Sequence, residues 1–173
     1  MKKAASKTRT PVRLALVKDS ALLPSVRDGL AAIETAHSRL FDDSIRSTFA
    51  DSLDLDKAMQ QGHEQENRRD YLLGHAPSGA VVAVEPRSAR HDEITTVIRK
   101  RVAARNHLDG HLNKGANVQK WLWVASDKVH FADTEKARLL LSQNGIEFAG
   151  KKITAKHLPA SSSTAVSRRR GKG

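Results

Sequence analysis

The sequence predicts an α/β, or α+β, fold: a single domain with a mixed β-sheet flanked by helices and a flexible basic segment at each end. Three observations carry that expectation. Two short runs of strand formers, Tyr71-Leu72-Leu73 and Ala80 to Val84, are split by Gly74-His75-Ala76-Pro77-Ser78-Gly79, a loop with one proline and two glycines, which reads as a β-hairpin. A stripe of apolar residues at Ile94, Val97, Ile98, Val102 and Leu108 follows, opposed by a basic face, which reads as an amphipathic helix. Trp121 to Ala125 then resembles another strand.

Taken in order, residues 1–11 form a basic arm without periodicity that ends at Pro11, residues 12–158 form the domain, and residues 159–173 form a Ser/Thr-rich basic tail. Val12 to Val17 fits a strand or a helical turn. From Pro24, the spacing of Val26, Leu30, Ile33, His37 and Leu40 predicts a helix, and Ile45, Phe49, Leu53 and Met59 predict a second. After the hairpin, His91-Asp92-Glu93 opens the third helix, which Gly110 and the Asn113-Lys114-Gly115 turn close. Val118 to Ala125, a tight turn at Ser126-Asp127-Lys128, and Val129 to Phe131 read as two strands. Asp133-Thr134-Glu135 opens a last helix with Ala137, Leu140 and Leu141 on its apolar face, and Ile146 to Phe148, extended to Ile153, reads as a final strand.

The chain has 173 residues, long enough to bury a core, and no cysteine, which rules out disulfides and thiolate metal sites and fits a cytoplasmic protein. Nothing at the N-terminus resembles a signal peptide, and no apolar run is long enough to span a membrane. The formal net charge is +11, but residues 1–13 hold five bases and residues 151–173 hold seven, with no acid in either, so the body between them carries −1. Basic ends of this kind attract polyanions, nucleic acid above all, unless they merely solubilise the chain. Residues 28–66 carry nine acids against three bases, which fits a solvated helix face or a surface for a basic partner.

The candidate chemistry lies on the hairpin. Asp70 precedes the first strand and Glu85 ends the second, so folding the hairpin brings both carboxylates to one end of the sheet. Paired carboxylates suit Mg²⁺, which takes one or two of them together with water and substrate phosphate.

The order helix, hairpin, helix, strand over roughly residues 42–131, with an acid on each hairpin strand, resembles the core of the PD-(D/E)XK nuclease superfamily, the restriction-endonuclease-like αβββαβ core. The resemblance implies that Asp70 and Glu85 bind Mg²⁺ in a hydrolase that cleaves phosphodiesters. It also implies a lysine two residues after the second acid, and Arg87 stands there with Pro86 between. Arginine cannot act as a general base but can stabilise a phosphorane or hold a water, whereas Pro86 suggests a strand edge or end. Some members draw the lysine from the following helix, which points to Lys100, and a further acid from an upstream helix, for which Asp42, Asp43, Glu64 and Glu66 are available.

Other features were weighed beside it. Arg99, Lys100, Arg101 and Arg105, with Arg168, Arg169 and Arg170 in the tail, are expected to contact a nucleic-acid backbone, DNA or RNA, or else to be solvated. Trp121 and Trp123 share one strand face and fit the core better than base stacking. His107 and His111 have a zinc-compatible spacing, although Gly110 weakens the helix there. The alternatives to a nuclease are a non-catalytic nucleic-acid-binding protein and an accessory subunit with a protein partner or a second copy of itself.

Overall fold

In a computed structural model, described over residues 9–59, 70–90, 92–129 and 135–162, the elements run α1 (Pro11–Ala15), β1 (Arg27–Asp28), α2 (Thr35–Ser38), β2 (Phe49–Asp54), α3 (Leu55–Ala58), β3 (Tyr71–His75), β4 (Ala80–Ala89), α4 (Glu93–Leu108), β5 (Val118–Val129), α5 (Glu135–Gln143) and β6 (Ile146–Phe148), with short 3-10 turns between. The six strands form one sheet in chain order. β1 to β4 pair antiparallel, while β5 joins β4 and β6 joins β5 in parallel. This is the mixed α+β domain that the sequence predicts. No described helix is long and apolar enough to cross a membrane.

The β3–β4 hairpin is buried on both faces, which explains why its strands read as continuous apolar runs rather than alternating ones. Tyr71, Leu73, Val82 and Val84 join Phe41, Phe49, Leu122 and Ile153 on one face. Leu72, Val81 and Ala83 join Val12, Leu16, Leu53 and Leu108 on the other. α4 and α5 cover the β5 end of the sheet, where Val97, Trp123, Leu141 and Ile146 pack together.

Several expectations are corrected. Residues 26–40 are not one helix: Gly29 has φ +55°, a left-handed conformation that breaks helical continuity, and Arg27 and Asp28 pair with Ser52 and Asp51. Val26, Ile33, His37 and Leu40 are nevertheless buried, because turns deliver them to the core instead. Nor is Ile45 to Leu53 one helix: a 3-10 helix over Asp43–Thr48 gives way to β2 at Phe49–Asp54, inserted between β1 and β3. Its acids are not a solvated face. Asp51 is fully buried and accepts hydrogen bonds from the Val12 and Arg13 amides at 3.2 and 3.0 Å, capping α1 from across the sheet. Asp54 likewise accepts from the Lys57 amide at 3.1 Å and caps α3.

Where a turn was expected at Ser126-Asp127-Lys128, β5 instead continues through a bulge: Arg87 pairs with Ala125 and Ala89 with Val129, so three residues of β5 stand opposite one of β4. The expected strand at His130 and Phe131 falls outside the described residues. Val102 and Leu140 are exposed rather than buried, and Ala104 completes the inner stripe of α4. Ile153 bridges to Phe41 instead of extending β6. The C-terminal tail begins later than residue 159, since the Ser162 amide donates to the Pro77 carbonyl at 3.0 Å.

Gly74 on β3 lies opposite Asp51, and a Cβ there would stand 1.9 Å from Asp51 Oδ1. Gly74→Ala should therefore cost about 3 kcal/mol of unfolding free energy, through displacement of the α1 cap, read as a lower urea midpoint at unchanged slope. Burial also holds the imidazoles of His75 and His157 below the ordinary value of 6.5. The unfolded chain then binds more protons, so their contribution is complete above about pH 6.5 and is lost as pH falls through the depressed folded values. Unfolding titrations between pH 7 and 5 should show that decline, shallower in His75→Gln.

Candidate active site

The register of the hairpin builds the site. Tyr71 pairs with Val84, so Asp70 and Glu85 are the next residues outward on their strands, side by side at the same end of the sheet. The third member comes from α4. Ile94, Val97, Ala104 and Leu108 form its buried face, and Lys100, three residues after Val97 and four before Ala104, falls on that same face. Its stem lies among Val84, Val97, Trp121 and Leu122, which with the two acids line a cavity of about 20 Å³, the size of one water molecule.

Lys100 Nζ lies 2.5 Å from Glu85 Oε1 and 3.6 Å from Asp70 Oδ1. The two carboxylate oxygens are thus no further apart than the sum of those distances. All three side chains are secluded, with exposures of 10% for Lys100, 14% for Asp70 and 12% for Glu85. Arg87 approaches from outside the cavity, its Nε 3.2 Å from Glu85 Oε1 and its Nη1 3.0 Å from Glu93 Oε2. Asp70, Glu85 and Glu93 therefore meet Lys100 and Arg87, with Arg101 on the same cavity wall. Asp70 Oδ1 and Glu85 Oε2 are buried and accept no hydrogen bond. Buried carboxylate oxygens without donors are costly, and a small divalent cation is a group that would satisfy them. The residues present accordingly fit Mg²⁺. Among the described residues no three His, Asp or Glu side chains converge as a metal cluster, so the pair would leave the remaining positions to water and phosphate.

The structure brings together Asp70, Glu85, Lys100 and Arg87, and adds Glu93, read from sequence only as a helix-opening charge. Arg87, two residues after Glu85, pairs with it. Pro86 lies two residues past the last β3 pair, where β4 is joined to β5 alone, so its missing N–H breaks no ladder with β3. The basic cluster of α4 splits three ways. Lys100 enters the site, Arg101 lies over the Trp121 ring at 5.4 Å, and Arg99 and Arg105 are exposed. Arg168, Arg169, Arg170, Glu64 and Glu66 fall outside the described residues. Asp42 instead bonds Ser44 and Asp43 pairs with Arg46. Trp123 is core, as expected, and its Nε1 donates to the Arg87 carbonyl at 3.3 Å, while Trp121 is only half-buried. α4 ends at Leu108, before His111, which is tied to Ser20 Oγ at 2.9 Å rather than to His107.

Lys100→Met leaves two secluded carboxylates facing each other and should lower stability at pH 7 by about 3 kcal/mol. Urea unfolding of the variant beside wild type measures that loss. Comparison with protein-family models, curated proteins and solved structures finds no match to this chain.

Proposed function

We propose that the chain is a Mg²⁺-dependent nuclease, hydrolysing phosphodiester bonds of nucleic acid at Asp70, Glu85 and Lys100. The observation that carries this reading is the Lys100 ammonium seated between the two carboxylates, drawn from the helix after the hairpin. The element order supports it: three antiparallel strands, β2 to β4, then a helix and a strand parallel to β4, as the resemblance to the αβββαβ core leads one to expect.

Mg²⁺, when bound, supplies Lewis-acid charge at a phosphoryl oxygen. The chain's own residues do the rest. Asp70 and Glu85 provide the anionic seat, and the Arg87 and Glu93 pair fixes the Glu85 rotamer so that one carboxylate oxygen faces the cavity. Lys100, a protonated donor in a secluded site, orients the attacking water and stabilises negative charge that gathers on the phosphoryl oxygens as the P–O bond breaks. The basic ends, rather than the nearly neutral body, add affinity that is insensitive to sequence.

Glu85→Gln and Asp70→Asn should each abolish the heat of Mg²⁺ binding in calorimetry and cut plasmid nicking or RNA cleavage by at least about 100-fold. Lys100→Met should cut cleavage by a similar factor while leaving Mg²⁺ bound. Salt-sensitive nucleic-acid binding with neither metal uptake nor cleavage would instead establish the non-catalytic reading, in which Lys100 neutralises the carboxylates permanently.

A further inference from the structure

Beside the carboxylate site lies a larger groove, about 330 Å³, bounded by α4 and the segment entering β5 and lined by Arg101, Arg105, Asp109, Asn117, Val118 and Trp121. Arg101 and Trp121 line both this groove and the small cavity of the site. They are the shared wall between the two.

Arg101 is built into that wall. Its guanidinium lies 5.4 Å over the Trp121 ring, and on the far side it packs against the turn after α5, where a Cβ on Gly145 would stand 2.9 Å from Nη2. Gly145 also has φ +69°, so the turn that admits the guanidinium is one that glycine favours. Among the described residues neither Arg101 nor Arg105 forms an ion pair, and Arg101 Nε is buried without an acceptor. Burial, and then the neighbouring charge of Arg105, lower the Arg101 pKa, which marks two cations held together without an anion. Asp109 is the one acid on the groove, and it is exposed at the end of α4. The guanidinium, without an ion pair among the described residues, covers a half-buried indole, and together they provide a phosphate contact and a planar surface for a base.

We propose that this groove binds the nucleotide flanking the scissile bond in an unpaired strand, its phosphate on Arg101 and Arg105 and its base against Trp121. The proposal rests on the nuclease reading for the word scissile, but binding itself does not require catalysis. A base stacked on Trp121 is withdrawn from its own duplex, so an unpaired strand is favoured over a paired one. The chain has two tryptophans, and Trp123 is fully buried, so a change in emission on binding reports Trp121.

The test uses the full chain in EDTA, titrated with short oligo-dT, oligo-U and a blunt DNA duplex of the same length. Tryptophan quenching and fluorescence anisotropy are read together. Oligo-dT or oligo-U should quench emission and bind more tightly than duplex; Arg101→Gln and the exposed Arg105→Gln should weaken binding about tenfold and severalfold; and Trp121→Leu should abolish the preference for single strands. The two oligonucleotides separate DNA from RNA as the strand preferred. Binding by both arginine variants within twofold of wild type, or binding without quenching, would overturn the groove and leave the basic ends as the only contact. Quenching in a protein that never cleaves would instead retain the groove and retire the nuclease reading.

Discussion

The pairing of β3 with β4 is the constraint on which the rest of the structure depends. It sets Tyr71 against Val84 and so places Asp70 beside Glu85. The same pairing buries Leu72, Leu73, Val82 and Ala83 on two opposite faces, so a slip of one residue would exchange the contents of both cores. Register is therefore strongly specified by packing, and the chemistry inherits that precision. The site sits at the end of the most buried strands in the sheet, where backbone positions are best determined.

Burial at that end comes with an electrostatic demand. Asp70 and Glu85 are too secluded to rely on water, and Lys100 and Arg87 meet most of the cost without cancelling it. In the proposed reading the two carboxylates make the site a cation seat, while Arg101, next to Lys100 in the chain, and Arg105, a turn further along α4, form an anion seat. The hairpin thus supplies the acids of one space and α4 the cations of both. Such a division suits a substrate whose phosphates carry charge at regular intervals and whose reacting centre needs a metal.

Some of this was legible in the residues. The hairpin, α4, β5 and the final short strand follow from strand-forming runs, Gly and Pro punctuation and helical periodicity, because in each of them local preference and burial agree. Residues 26–54 misled for the opposite reason: their apolar spacing is helical, yet Gly29 turns the chain and β2 takes a place between β1 and β3 that only long-range pairing offers. Asp51 shows the same limit. An acid among acids looks solvated until α1, some forty residues away in the chain, brings its free amides to it.

What the sequence determined alone was the apolar content of the hairpin strands and which pair of acids the hairpin brings together, since strand-forming runs and turn chemistry are local properties of the chain. Lys100 was marked only by the resemblance, since the periodicity put it on the basic face of the helix; the structure turns it toward the buried side, between Val97 and Ala104. Only the tertiary structure decided that its ammonium reaches both carboxylates, that Arg87 faces Glu93 as well as Glu85, and that Arg101 is wedged between Trp121 and Gly145. Those outcomes depend on how α4, α5 and β5 settle against one another. The crossing of distant segments is set by the packing of whole surfaces, which no local pattern encodes.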